Sequence, residues 1–207
     1  MEQAPAGGVA EFGEKIWSQL LHLAELLESE GQLRGLVGPR EMDKLWSRHI
    51  LNSLAIIDFI PEGAKLADVG SGAGFPGLVT AIVRPDLDVH LIDSLGRRTD
   101  WLEYAVDNIG LSNVTIYNKR AEELHGKLVV DVVTARAVAA LKKLIPYTLP
   151  LVKSGGQLVA LKGSRAEIEV DESVKQLNKF NVDWVDIHDV DVWGTDEGTR
   201  VVVLQKL

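Results

Sequence analysis

The 207-residue chain contains no cysteine. That absence excludes disulfides, a thiol nucleophile, zinc-thiolate sites and cysteine-ligated iron–sulfur clusters. No stretch approaches the ~18 consecutive apolar residues of a membrane-spanning helix. The first residues, Met1-Glu2-Gln3-Ala4-Pro5, lack the basic flank and apolar core of a secretory signal, so a cytoplasmic protein with no membrane partner is expected. Internal repeats, low-complexity tracts and heptad runs are also missing. What is present is 46% hydrophobic and 25% charged residues, the make-up of an ordinary globular protein. The length suits one α/β domain with a small extension and is too short for two full enzymes.

The net charge of -8 argues superficially against a nucleic-acid partner, which rewards Lys and Arg. The charge is unevenly spread, however. Residues 84–165 hold 12 basic and 9 acidic side chains, whereas residues 166–207 hold 4 and 10. The positive excess lies in the middle of the chain, where the chemical motifs also fall. An unevenly charged solvated surface explains the same numbers equally well.

Apolar residues Phe12, Ile16, Leu20, Leu23, Leu26 and Leu27 recur near a 3.6-residue period and predict a helix over 9–30, closed by Gly31. A second amphipathic helix is expected from Glu41 through Phe59, with Pro61 after its end. From there strands and helices alternate. Strands are predicted at 65–69, 89–93, 114–117, 129–134, 157–161, 182–188 and 200–205, and helices at 77–83, 97–109, 139–152 and 166–179. Apolar, β-branched strands alternating with helices make a parallel sheet covered on both faces. The last two strands break the alternation. The segment Trp193-Gly194-Thr195-Asp196-Glu197-Gly198 is too short for a helical crossover and suits a hairpin. The expected architecture is therefore α/β: a Rossmann-like class I methyltransferase fold, its seven-stranded, mostly parallel sheet ending in an antiparallel strand. Residues 1–60 are expected to form an N-terminal helical cap, and residues 61–207 the domain itself.

The richest segment is Asp68-Val69-Gly70-Ser71-Gly72-Ala73-Gly74-Phe75-Pro76-Gly77, between the first strand and the next helix. Glycines there permit positive φ and close approach of the backbone to a ligand. The helix start would favour a carboxylate or phosphate. Gly72, Gly74 and Gly77 formally satisfy the dinucleotide fingerprint GxGxxG. Asp68, Gly70, Gly72 and Gly74 equally give an acidic-x-G-x-G-x-G pattern suited to S-adenosylmethionine. A carboxylate beside the loop would repel a pyrophosphate yet could hold the ammonium of a methionine moiety, through water or directly, which favours the second ligand. A glycine turn holding nothing is the third reading. Asp93, 21 residues beyond Gly72 at the end of the second strand, suits a ribose diol with either ligand.

Ala121-Glu122, after the third strand, sits where an adenine amino group could bind, although an acid in a helix's first turn is favourable by itself. Arg136 leaves the fourth strand over the cleft at the strands' carboxyl ends, and Lys162-Gly163 shares that edge. The fourth strand lacks the Asn/Asp-Pro-Pro-aromatic exit associated with methylation of exocyclic amines, and without cysteine the usual covalent route to 5-methylpyrimidines is closed. Acceptors with a free in-plane lone pair, such as guanine N7, remain. They have no proton to lose, so no catalytic acid or base is assigned, and no metal-ligating set is assigned either.

Six segments, DVGSGAGFPG at 68–77, Asp93-Ser94-Leu95-Gly96-Arg97-Arg98, Ala121-Glu122-Glu123, Thr134-Ala135-Arg136-Ala137, Ala160-Leu161-Lys162-Gly163 and the upstream WSRHILNSL at 46–54, occur in one order. Together they resemble the bacterial ribosomal small-subunit RNA methyltransferase G family, also called glucose-inhibited division protein B. The match runs from about Leu45 to Gly163 and resumes in the final strand. The resemblance implies N7 methylation of one guanine in 16S ribosomal RNA, within the small subunit or its precursor, by a monomer using S-adenosylmethionine. It places Gly70, Gly72, Gly74, Phe75, Ala121, Glu122 and Arg136 on the cofactor, with Asp93 on its ribose. Arg48, His49, Arg97, Arg98 and Lys162 become candidates for the RNA face, with a surface pair tied to the domain as the other reading of Arg48 and His49. Arg97 and Arg98 open a helix, a poor place for cations unless a partner outside the chain compensates. Many family members carry an Asn-Leu-Thr turn where this chain has Gln32-Leu33-Arg34. The competing functions are a small NAD-linked oxidoreductase, for which no Tyr-x-x-x-Lys constellation exists, and a non-catalytic ribosome-assembly module.

Overall fold

Seven strands form one sheet in the order β3-β2-β1-β4-β5-β7-β6. They are β1 (Lys65–Val69), β2 (Asp88–Asp93), β3 (Val114–Asn118), β4 (Val130–Arg136), β5 (Val152–Lys162), β6 (Val182–Val190) and β7 (Thr199–Lys206). The first five pair in parallel, and β7 runs antiparallel to both its neighbours, β5 and β6. The computed structural model describes residues 2–31 and 33–207, with every side chain in those ranges except Pro39 and Arg40. The departure at Gln32 lies outside the described residues.

Successive strand residues point to opposite faces, and here both faces are apolar. Leu66, Val132, Val159, Val201 and Val203 face one core, and Ala67, Val133, Ala160, Val202 and Leu204 face the other. The first core is covered by α1 (Gly8–Glu30), α3 (Gly77–Val83) and α4 (Gly96–Ile109). The second is covered chiefly by α5 (Leu141–Thr148). Trp17, Leu20, Leu23 and Leu27 of α1 belong to the same apolar cluster as Leu78, Leu91 and Trp101, so the N-terminal helix helps to build the domain's core. No described helix is long and apolar enough to cross a membrane.

Beyond α1, three expected helices are broken or cut short. The stretch expected to be helical from Glu41 to Phe59 forms a short α2 (Pro39–Met42), a π-helix (Leu45–Leu51) and a 3₁₀-helix (Asn52–Phe59). The buried residues explain the change of period. Leu45 with Ile50, and Trp46 with Leu51, are five apart and share a face in a π-turn, whereas Ser53 and Ile56 are three apart. The Glu2 carboxylate accepts the backbone N–H groups of Trp46 (2.8 Å) and Ser47 (2.9 Å) and so caps the π-helix. The helix expected over 166–179 divides into α6 (Ala166–Asp171) and α7 (Val174–Lys179). At the break the buried Ser173 hydroxyl donates to the Glu169 carbonyl (2.5 Å), a back-bond that competes with the helix ladder. Likewise α5 ends before Pro150, and β5 begins at Val152, five residues before the expected start at Gln157.

Candidate active site

In an open parallel sheet, ligands bind beyond the strands' carboxyl ends where the strand order reverses. Here that point lies between β1 and β4, and a cavity of about 600 Å³ opens there, a size normal for a small organic ligand. Its wall includes Gly70, Gly72, Phe75, Asp93, Ala121, Glu122 and Arg136.

The glycine loop is held from several sides. Gly70 and Gly72 have φ of +77° and +58°, values that favour glycine. A Cβ on Gly70 would lie 2.6 Å from Val138, so the exits of β1 and β4 touch only because that atom is missing. Gly70 N–H donates to the Ile92 carbonyl (2.8 Å) and Gly72 N–H to Asp93 Oδ2 (3.0 Å). The fully buried Trp101 donates Nε1–H to the Ala73 carbonyl (3.1 Å). Asp93 therefore has a structural duty as well as a place in the cavity wall. Its Oδ1 accepts Leu95 N–H (3.0 Å), and Arg98 approaches Oδ2 at 3.4 Å.

Asp68 is not where the sequence reading puts it. Its carboxyl is fully buried beneath the loop and outside the cavity wall, with Oδ2 accepting Gly77 N–H (3.0 Å) at the start of α3. Burial raises its pKa to about 7, against the backbone hydrogen bond from Gly77. Its carboxyl presents no surface for direct contact with an ammonium in the cavity, but it separates the two ligand readings by another route. A dinucleotide pyrophosphate needs the helix N-terminus, and this chain fills that place with its own carboxyl group. Gly74 also lies behind the loop. Its φ is +105°, and an added Cβ would meet Leu78 at 2.8 Å, so this glycine serves packing and is absent from the cavity wall.

Arg136 marks the boundary with a second cavity of about 650 Å³. Glu41, His49, Arg136 and Ala137 line both. Arg136 donates from Nη1 to the Arg48 carbonyl (2.8 Å) and, at 3.4 Å, to Asn52 Oδ1, while Nη2 meets His49 Nδ1. Its guanidinium lies 5.3 Å from the Phe75 ring centroid, and the His49 ring lies 5.2 Å from the same ring. His49 Nε2 in turn faces Glu41 Oε2 at 3.0 Å. Burial, then the Arg136 charge, lowers the His49 pKa, and Glu41 opposes both. The Ala137 backbone (φ 56°) is left-handed, a conformation that non-glycine residues adopt at a cost of ~1–2 kcal/mol and that recurs at functional sites.

Four of the five expected RNA-face residues line one or both cavities. His49 lines both, Arg48 lines the second cavity, and Arg98 reaches the first. Arg97 is exposed. Lys162 lines the second cavity, but its ammonium is committed to the Ala139 carbonyl (2.8 Å) and Glu169 (2.9 Å), and only 9% of its side chain is accessible. Exposed Lys119 and Arg120 on the first cavity's wall were missed, as were Glu41 and Asn52. The basic pair directly follows β3 and could have been read from its position at a strand's carboxyl end. Glu41 carries no motif, and Asn52, although it lies in the 46–54 segment, was given no role there; both are found through their contacts.

The chain resembles known proteins along most of its length. The family profile described as "GidB: rRNA small subunit methyltransferase G" matches residues 16–191. A protein named ribosomal RNA small subunit methyltransferase G from Beutenbergia cavernae is 52% identical over 182 residues, covering 88% of this chain and 86% of that one. A protein of the same name from Thermobifida fusca is 50% identical, covering 86% of this chain and 76% of that one. Among solved structures, TYW2 of M. jannaschii in complex with AdoMet superposes with a TM-score of 0.60 at 17% identity, over 78% of this chain and 76% of that chain. An SAM-dependent O-methyltransferase from Thermotoga maritima gives 0.58 at 18% identity, over 81% of this chain and 70% of that chain. Both share the fold.

Proposed function

Because this chain belongs to the rRNA small subunit methyltransferase G family, we propose that it moves the methyl group of S-adenosylmethionine to N7 of a guanine in 16S ribosomal RNA, in the small subunit or its precursor. The observation that carries the reading is the pair of cavities meeting at Arg136, Ala137, His49 and Glu41. One is bounded by the glycine loop and Asp93, and the other stands open beside it for an acceptor base.

The cavity residues fit the cofactor. The loop presents backbone with no side chain at Gly70 and Gly72, Asp93 supplies carboxylate oxygens for a ribose diol, and Ala121 with Glu122 bounds the far end. Phe75 and Arg136 stand at the border with the second cavity. When bound, the cofactor supplies an electrophilic methyl on a sulfonium. The chain's own task is to bind, align and exclude water. Guanine N7 has a lone pair and no proton, so a base has nothing to remove, and alignment in a dry site supplies the rate. The cytoplasm and a monomeric state accompany this reading.

The direct test incubates the protein with tritiated S-adenosylmethionine and small ribosomal subunits from a strain lacking the enzyme, followed by nucleoside chromatography. Label in one 7-methylguanosine of 16S RNA is the expected result. Label in another nucleoside discards the acceptor atom and keeps the transfer. No label, with cofactor binding measured separately, favours the non-catalytic assembly role.

The two candidate RNA-face arginines that open α4 make a second prediction. Arg97 is exposed, whereas Arg98 pairs with Asp93 at 3.4 Å. Arg97→Glu is expected to weaken RNA binding and to flatten the dependence of log K on log salt by about 1–2, leaving cofactor affinity unchanged. Arg98→Glu is expected to weaken both ligands, because it also places a carboxylate against Asp93. Filter binding across a salt series, alongside calorimetric titration of cofactor, checks both. An unchanged salt slope in Arg97→Glu returns that residue to the solvated surface.

A further inference from the structure

We propose that Glu41 is a positioning residue for Arg136 and acts through His49. It fixes the imidazole as the neutral Nε2–H tautomer, whose Nδ1 lone pair then holds the guanidinium at the wall between the two cavities. The inference rests on the methyl-transfer reading for its consequence and on hydrogen-bond chemistry for its geometry. Every guanidinium nitrogen donates and none accepts. The contact between Arg136 Nη2 and His49 Nδ1 therefore requires a lone pair on Nδ1, which puts the ring proton on Nε2. Glu41 Oε2, at 3.0 Å, accepts it. An imidazolium in the same place would set donor against donor and cation against cation.

The groups facing His49 are Glu41 from α2, Arg48 from the π-helix and Arg136 from the end of β4; Asp68 acts on Arg136 from below. The His49 side chain is 14% accessible and lies beside Phe75. Burial and Arg136 oppose its protonation, and Glu41 favours it, so Glu41 sets the pH at which the arrangement fails. When His49 gains a proton it releases Arg136, which keeps the Arg48 carbonyl and Asn52 as its acceptors among the described residues. Outer partners that orient metal-bound histidines change activity by about 10–100-fold when removed, and an effect toward the lower end is expected for this orienting contact. Glu41 is about half-exposed and eight residues from His49. It does not serve the hydrophobic core, and its replacement is expected to leave the fold intact.

The test uses the full chain with ¹⁵N-labelled imidazoles. At pH 7.5, His49 Nδ1 is expected to show the chemical shift of an unprotonated ring nitrogen and Nε2 that of a protonated one. The opposite tautomer, or an imidazolium, overturns the proposal whether or not methyl transfer is observed. In Glu41→Gln the amide oxygen still accepts the Nε2 proton but no longer supports the charge. The His49 pKa is expected to fall, and the acid limb of methylation to move to lower pH by the same interval, with kcat at pH 7.5 within about threefold. In Glu41→Ala, kcat/KM is expected to fall about tenfold and Glu41→Gln to restore it. A purely structural role would lower stability without moving the acid limb. A fixed limb, or one moving to higher pH, overturns the proposal. Absence of methylation by the unaltered protein counts against the methyl-transfer reading and leaves the tautomer to decide this one.

Discussion

Gly72→Val is expected to abolish S-adenosylmethionine binding in a protein that remains folded. Gly72 sits in the cavity wall at φ +58°, with its N–H engaged by Asp93 Oδ2 at 3.0 Å. Among the described residues beyond its chain neighbours, the nearest atom to an added Cβ is the Gly70 carbonyl oxygen at 3.8 Å, so the new side chain enters open space. That space is the cavity. A left-handed backbone costs a β-branched residue ~2–3 kcal/mol, which lowers the melting temperature of a domain of this size by several degrees without unfolding it at ordinary temperature. The ligand, by contrast, meets two methyl groups where it needs bare backbone, and a loss of at least about a hundredfold in affinity follows. Gly77 provides the contrast. A Cβ there would lie 2.5 Å from Leu91 and 2.6 Å from Asp68, so Gly77→Val is expected to unfold the protein and not to report on binding. Calorimetric titration with the cofactor, together with circular dichroism melts, separates the two outcomes. Normal affinity in folded Gly72→Val sinks the assignment of the loop to the ligand.

The place of Gly72 in the cavity wall was legible in the sequence because it depends on the backbone and on neighbours in the chain. The same holds for β1 at 65–69 and α3 at 77–83, whose apolar runs and flanking glycines coincide with the observed bounds. The parallel sheet and the antiparallel β7 followed from strand–helix alternation and from the shortness of the last connection. Legibility ended where a side chain's partner comes from far along the chain. Asp68 reads as a residue beside a ligand, yet it turns inward to cap α3, because a free N–H at Gly77 needs an acceptor. Lys162 reads as a cation on an edge, yet it joins the end of β5 to Glu169, which also caps Leu141 N–H at 2.7 Å. The π-helix was readable only in retrospect, as pairs of buried residues five apart in a segment whose period near 3.6 also fitted an α-helix. Glu41 belongs to no pattern of spacing, and the 46–54 segment that contains Asn52 does not reveal that residue's partner. Both residues matter because the folded chain brings α2, the π-helix and the end of β4 to one point.

Arg136→Ala is expected to reduce kcat/KM by at least about a hundredfold with the fold preserved, and the reason lies in how much depends on one guanidinium. Truncation leaves His49 Nδ1 and the Arg48 carbonyl without their donor and removes the cation from the Phe75 face. It also deletes the side chain that stands between the two cavities, so water gains a path into a site whose rate comes from dry alignment. A hundredfold corresponds to about 2.7 kcal/mol of transition-state stabilisation, the scale on which a preorganised charged donor acts. Stability is expected to suffer less. Arg136 is itself a partly desolvated cation whose removal relieves a burial cost, and the apolar cores on the two sheet faces do not include it. Two neighbours are expected to titrate differently, in opposite senses of charge. Arg136 lowers the pKa values of both His49 and Asp68, so its loss raises both, making His49 easier to charge and Asp68 easier to keep neutral. Arg136→Lys retains the charge but not the planar fork that serves His49 and the Arg48 carbonyl together, and it is expected to recover only part of the activity. Single-turnover methylation with saturating cofactor, set beside the cofactor Kd, shows whether the loss falls on binding or on transfer. Unchanged activity in a folded Arg136→Ala protein would remove the residue from the site, and with it the wall on which the two-cavity arrangement depends.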